Sequence, residues 1–130
     1  NYAKANPGKI NFGTSGAGSV SHLVGAWLHS ATHTTVTFVH YKATGTIMTD
    51  LMSSRIDVSA AGLPVALPLI KAGKVLPLGF TDDRRTKLLP NVATVLEQGV
   101  PQFHYANWLG YSASGGTPAP IVNKLREILK

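Results

Sequence analysis

The stretch at residues 11–22, NFGTSGAGSVSH, is rich in residue types that bind anions. It holds three glycines and four hydroxyl side chains, and it has no aspartate or glutamate. An apolar helical periodicity begins at Val20, so the stretch leads into the amino terminus of a helix. Such an end presents unpaired N–H groups and partial positive charge, and small residues let an anion approach them closely. The pattern therefore predicts a cradle for a carboxylate or a phosphate.

The candidate ligand-binding residues of this cradle are Thr14, Ser15, Gly16, Ala17, Gly18 and Ser19. Ser15 and Ser19 would donate hydroxyl groups, and residues 16–19 would donate backbone N–H groups. Ser19 is also the expected N-cap of the helix. The alternative is a plain tight turn between a strand and a helix with a capping serine, because isolated glycine motifs are weak signals.

Three enzyme motifs can be compared with the same stretch, and each of them fails. Ser19 stands where a P-loop needs lysine, and Ser21 stands where a dinucleotide fingerprint needs its third glycine. A nucleophile elbow around Ser15 fails because Ala17 replaces its last glycine. A small α/β hydrolase or a phosphate-handling enzyme that uses residues 13–19 stays the alternative to a binding domain, and the spacing assigns no base to Ser15.

The composition describes one globular domain of 130 residues, with 44% apolar and 14% charged residues. The absence of cysteine excludes disulfides, thiolate metal sites and cysteine nucleophiles. A net charge of +6 suits an anionic partner, but the basic residues are scattered, so we expect no nucleic acid partner. His29 and His33 have i, i+4 spacing without the glutamate of a zinc motif, so neither a metal nor another cofactor is predicted.

The elements that would position the cradle alternate along the chain. Periodicity and β-branched runs predict strands at 9–12, 34–40, 55–60, 75–80 and 105–113. Helices are predicted from residues 20 and 44, over 64–72 and 91–98, and at the carboxyl terminus over 121–129. This order predicts an α/β fold with a mostly parallel sheet flanked by helices. Ligands of such folds bind at the carboxyl ends of the strands, which is where the glycine-rich stretch would lie.

Five segments of the chain, in order, carry a family resemblance. They read AKANPGKINFGTSGAGSVSHL, VHYKATGTIMTDLMSSRIDV, GLPVALPLIKAGKVLPLGFT, RRTKLLPNVATVLEQGVPQF and NWLGYSASGGTPAPIVNKL. Together they resemble the substrate-binding proteins of tripartite tricarboxylate transporters, the Bug or TctC-like family. The resemblance implies a non-enzymatic periplasmic receptor with a type II periplasmic-binding-protein-like fold. Residues 1–104 would be its second ligand-binding domain, and residues 105–130 a strand and helix that return towards an absent first domain.

The resemblance also implies a ligand and partners. The ligand would be a small carboxylate, and the partners would be the membrane components of the transporter, with a homodimer expected if the chain is truncated. The family's carboxylate loop falls on residues 14–19, and its Tyr-Lys-Gly turn falls on Tyr41, Lys42 and Ala43. Tyr41 would bound the ligand, and Ala61 and Gly62 would line the pocket wall. The family's acid is replaced within the segment 60–62, which favours a dicarboxylate or an aromatic carboxylate over an amino acid.

Overall fold

The computed structural model describes residues 2–101, 103, 105 and 111–129. Its helices and strands, in chain order, are α1 (Tyr2–Ala5), β1 (Asn11–Thr14), α2 (Val20–Thr32), β2 (Thr37–His40), α3 (Thr44–Met52), β3 (Val58–Ser59), α4 (Leu63–Lys71) and α5 (Ala119–Ile128). Helices follow each of the three strands, as the hydrophobic periodicity predicts. The α/β class with a parallel sheet flanked by helices is confirmed.

The three strands form one parallel sheet in the order β2-β1-β3, so β1 is its centre. Thr14 at the end of β1 is in register with His40 at the end of β2. Gly13 is in register with Ser59 at the end of β3. Because the strands are parallel, their carboxyl ends meet at one edge, and this edge carries the turns that begin α2, α3 and α4.

Helix α2 packs against one face of the sheet through aromatic rings. Phe12 is 3% exposed, and its ring meets those of His29 and Phe38 edge-on at centroid distances of 5.7 and 5.5 Å. Gly25 allows the close approach of the helix, because a Cβ atom there would lie 2.9 Å from two ring carbons of Phe12. A small residue at this position therefore sets the distance between α2 and the sheet.

The opposite face is covered by α3, whose residues Ile47 and Met48 form a buried cluster with Ile56. Gly13 of β1 lies directly under this cluster, and a Cβ atom there would overlap the Ile56 side chain. Tyr41 and Ala61 are among the half-buried residues packed against the cluster. The sheet is thus covered on both faces, as expected for parallel strands.

Two predicted elements are wrong. The segment 75–80 is not a strand, and only Phe80 forms an isolated parallel bridge, with Thr94. Pro77 has no N–H to donate, and no strand among the described residues pairs with this segment. The segment 91–98 forms a bridge and turns instead of a helix.

The remaining boundaries differ by a few residues. Strands predicted at 34–40 and 55–60 shorten to Thr37–His40 and Val58–Ser59, and the first strand lies at Asn11–Thr14. Part of the predicted strand at 105–113 lies outside the described residues, and residues 105 and 111–113 are not in a strand. No helix among the described residues has the length and hydropathy needed to cross a membrane.

Candidate functional site

The loop at residues 14–19 joins β1 to α2 at the carboxyl edge of the sheet. Thr14 is fully buried, whereas Ser15, Ala17 and Gly18 are exposed. Gly16 has φ 118° and Gly18 has φ 75°. These are backbone conformations that favour glycine, so the two glycines of the sequence pattern are needed for the path of the loop.

The buried hydroxyl of Ser21 organises the serines of the loop. Ser21 Oγ accepts a hydrogen bond from the Ser15 backbone N–H at 3.0 Å. It also lies 3.2 Å from Ser15 Oγ and 3.1 Å from Ser19 Oγ. Both hydroxyls that were predicted to donate to a ligand are therefore within hydrogen-bond distance of Ser21, which is 8% exposed. Ser21 was not among the predicted site residues, because one sequence does not show which hydroxyl turns inwards.

Helix α2 begins with the predicted cap and a second, unexpected contact. Ser19 Oγ accepts a hydrogen bond from the His22 N–H at 3.3 Å, which confirms Ser19 as the N-cap. The imidazole of His22 turns back and accepts the Gly18 N–H on Nδ1 at 3.1 Å. The first turn of the helix therefore holds the loop that precedes it.

The backbone N–H groups of the loop fall into two sets. Those of Ser15 and Gly18 are engaged by side chains, and that of Ser19 donates to the Gly16 carbonyl at 3.2 Å. Within the described part of the chain, no hydrogen bond to a protein group engages the N–H groups of Gly16 and Ala17. The same holds for Val20 and Ser21 in the first turn of α2. These unengaged donors are what the loop can offer to an anion.

Two imidazoles lie beside the loop, on the face of the sheet that α2 covers. His40 Nδ1 and the buried Thr14 Oγ1 are 2.6 Å apart. The ring of His22 meets the rings of His40 and Phe38 edge-on, at centroid distances of 5.1 and 4.7 Å. Neither His22 nor His40 is among the site residues that the sequence predicts. The parallel register of β1 with β2 brings His40 to Thr14, and its position as the last residue of a predicted strand was the available signal.

The other predicted site residues lie at the same edge but towards α3. The Tyr41 hydroxyl donates to Asp50 Oδ2 at 2.8 Å, and this hydrogen bond to a carboxylate raises the pKa of Tyr41. Ala61 packs against the buried cluster of α3, and Gly62 is the N-cap of α4. The structure therefore gives Tyr41 a structural partner in Asp50, while Gly62 is exposed beyond the end of β3.

The geometry gives the hydrolase alternative no support. Ser15 Oγ has Ser21 as its only hydrogen-bond partner among the described residues. The Nδ1 atoms of His22 and His40 bond to Gly18 and Thr14. A nucleophile needs a base within hydrogen-bond reach, and none of the described residues offers one to Ser15. Among the described residues, no group of three or more potential metal ligands is present.

The loop is an open surface of the molecule. Two cavities, of about 480 and 540 Å³, lie away from the loop, one beside Lys9 and Asp57 and the other beside Lys4 and Gln98. Neither is lined by residues of the 14–19 loop. Ser15, Ala17 and Gly18 of the loop are exposed, so the described residues leave this part of the loop accessible to a ligand.

Known proteins resemble this chain over its whole length. All 130 residues match the family described as the tripartite tricarboxylate transporter family receptor. A UPF0065 protein from Agrobacterium vitis, of the TAR-I ttuE-ttuC' intergenic region, is 41% identical over 98% of the chain and 37% of its own length. The protein BugT of Bordetella pertussis is 28% identical over 92% of the chain and 36% of its own length.

Solved structures show the same fold. Rhodopseudomonas palustris Rpa4515 with adipate superposes with a TM-score of 0.91 at 33% identity, over 97% of this chain and 42% of that one. MatC from the same organism, with bound malate, superposes with a TM-score of 0.91 at 30% identity, over 97% of this chain and 43% of that one. The periplasmic binding protein BugD superposes with a TM-score of 0.92 at 34% identity, over 98% of this chain and 43% of that one. The chain thus spans about two fifths of the length of each of these relatives.

Proposed function

Because the chain belongs to the receptor family of tripartite tricarboxylate transporters, we propose that it is one ligand-binding domain of a receptor for a small carboxylate. The observation that carries this proposal is the pair of unengaged N–H groups of Gly16 and Ala17 at the carboxyl edge of the sheet. They precede the unengaged N–H groups at the start of α2, where the helix dipole places partial positive charge. No acidic side chain stands within residues 11–22 to compete for this place.

The loop is held in place before a ligand arrives. Ser21 lies within hydrogen-bond distance of Ser15 and Ser19. His22 accepts the N–H of Gly18, and Thr14 pairs with β2 at the end of β1. A carboxylate that accepts from Gly16 and Ala17 would find these donors already oriented. Preorganised donors bind with less loss of conformational entropy, so a short loop can contribute useful affinity.

The substrate class that we propose is a dicarboxylate or an aromatic carboxylate. Relatives with adipate and with malate are known, and both ligands are dicarboxylates. At the end of β3 this chain has Ala60, Ala61 and Gly62, none of which has a charged side chain. An amino-acid ligand would need a partner for its ammonium group, and residues 60–62 offer no carboxylate for it.

The proposed receptor acts by enclosing its ligand between two domains. Residues 1–104 would form the second domain, and residues 105–130 would return towards the first. The open position of the loop fits this arrangement, because closure of a second surface would exclude water from the carboxylate. The receptor would work in the periplasm and deliver its ligand to the membrane components of the transporter.

The test uses a chimeric receptor in which this chain replaces the matching part of the adipate-bound relative. Calorimetry with adipate, malate, benzoate and aspartate measures the ligand class. We expect at least one plain carboxylate to bind and aspartate to bind more weakly. Binding of aspartate alone, or of none of the four, would contradict the proposal.

A substitution in the loop tests the position of the site. Ala17→Asp places a carboxylate beside the unengaged donors and is expected to weaken carboxylate binding by about tenfold or more, because like charges repel at close range. Asn91→Asp adds the same charge at an exposed position outside the loop and serves as the matched control. Equal affinities of the two variants would place the ligand elsewhere.

A further inference from the structure

His40 is an exposed histidine held by a buried hydroxyl. It ends β2, and its Nδ1 atom lies 2.6 Å from Thr14 Oγ1, which is fully buried. A hydroxyl can donate to a neutral imidazole and can accept from a protonated one. Thr14 can therefore hold the ring in both protonation states, and the Nε2 atom of His40 has no hydrogen-bond partner among the described residues.

The ring lies beside the loop and not at a remote edge. Phe38, two residues earlier in β2, packs with the ring of His22 on the α2 side of the sheet, and His40 shares this side. His22 contacts His40 edge-on at 5.1 Å and also accepts the N–H of Gly18. The two imidazoles thus contact Thr14 and Gly18, the residues that precede and follow Gly16 and Ala17 in the loop.

Among the described residues, the groups around His40 provide no counter-charge. His22 faces it from α2, Thr14 from β1, and Tyr41 and Lys42 follow it in the chain. Asp50, which bonds to Tyr41, is paired with Arg55 at 3.2 Å. No carboxylate forms an ion pair with either imidazole in the part of the chain that the structure describes. A protonated His40 would therefore find its counter-ion in an anionic ligand.

We propose that His40 is a further ligand-binding residue of this site, whose Nε2–H donates to the carboxylate of the ligand. Protonation of the ring turns this contact into a charge-assisted hydrogen bond, so the receptor binds its anion more tightly in mild acid. The inference rests on the proposed function, since it assigns a role within the same carboxylate site. Thr14 acts as its positioning residue.

The test measures the affinity of the chimeric receptor for adipate between pH 8 and pH 5.5. The affinity is expected to rise by roughly two- to fivefold as the pH falls, the range of an exposed charge pair. His40→Asn should remove this rise. Thr14→Val keeps the shape of the side chain but removes the hydroxyl that holds the His40 ring, so it should reduce the rise in affinity. His33→Asn, at the other end of α2, should leave it unchanged, because asparagine tolerates the φ of 52° found there.

The outcomes separate the two claims. If adipate binds but its affinity does not change with pH, or if His40→Asn keeps the full rise, the role of His40 is refuted and the carboxylate site stands. If neither adipate nor any other carboxylate binds at any pH, both the proposed function and the role of His40 are refuted. The assignment is supported if the rise in adipate affinity at low pH disappears in His40→Asn, shrinks in Thr14→Val and stays unchanged in His33→Asn.

Discussion

The Nδ1 atom of His22 accepts a hydrogen bond from the backbone N–H of Gly18, across one turn of chain, at 3.1 Å. The acceptor role of Nδ1 places the proton of the neutral ring on Nε2. Gly18 has φ 75°, so the bond fixes a part of the loop that the backbone alone leaves free to vary. A side chain of the helix thereby sets the shape of the loop that leads into it.

The first prediction concerns which atom of His22 matters. In His22→Asn the amide oxygen can take the place of Nδ1, whereas in His22→Gln the side chain reaches the place of Nε2. We expect the Gly18 N–H to stay protected from hydrogen exchange in His22→Asn and to lose protection in His22→Gln. Both variants lose ring contacts with Phe38 and His40, which are worth about 0.5–1.5 kcal/mol each. Stability alone therefore does not distinguish them, and the exchange rate of one amide does.

The second prediction concerns Ser21. In Ser21→Ala the buried hydroxyl is lost, and the Ser15 N–H loses its acceptor. We expect the free energy of unfolding to fall by about 1–2 kcal/mol, measured by urea denaturation. Ser30→Ala, exposed on the same helix, is the control and should change it by less than about 0.5 kcal/mol. Similar losses in the two variants would show that Ser21 does not organise the loop.

Two glycines with opposite surroundings give the third prediction. A Cβ atom on Gly25 would lie 2.9 Å from Phe12 and 3.0 Å from Phe38, whereas Gly45 in α3 has open space. Gly25→Ala should destabilise the fold by about 1–3 kcal/mol, since overpacking outweighs the gain in helix propensity. Gly45→Ala should stabilise it by up to about 1 kcal/mol. Thermal unfolding of the two variants and the wild type measures both effects. A Gly25→Ala variant as stable as the wild type would mean that α2 can move away from the sheet.

The sequence predicted the elements whose pattern is strong and local. Helix α2 follows from its apolar spacing and from Ser19, which the structure confirms as the N-cap. The segment 75–80 has strand-like residues, but it pairs with no strand among the residues that the structure describes. Pairing depends on a neighbour that a local pattern cannot reveal. In the segment 91–98, which was predicted as a helix, Thr94 and Glu97 form a capping box. Gly99 and Pro101 follow only about one turn later and end the segment.

The site shows the same division. The candidate loop is predicted from its composition, because glycine and serine before a helix have a direct physical meaning. The contacts of Ser21 and His40 were not predicted, since they arise from burial and from the register of β1 with β2. The position of Tyr41 was predicted, but its bond to Asp50 depends on the packing of α3. Contacts between elements are what one sequence does not specify.

The last prediction concerns the pH dependence of stability. Burial lowers the pKa of His29, whose ring packs edge-on against Phe12 and whose Nε2 atom is buried without a hydrogen-bond partner in the structure described. The unfolded chain binds a proton on this residue near pH ~6.5, whereas the native state resists it. The stability from neutral His29 is therefore present above that pH and is lost as the pH falls through the lowered native pKa.

We accordingly expect the free energy of unfolding of the wild type to fall more steeply between pH 7.5 and 5 than that of His29→Leu, which cannot take up the proton. His33→Asn removes an exposed histidine from the end of the same helix and should keep the steep wild-type slope. Urea denaturation at each pH measures all three proteins, and the difference in slope between wild type and His29→Leu isolates this one residue from the other histidines. Parallel slopes would show that the native protein protonates His29 as readily as the unfolded chain does, and that its burial carries no cost.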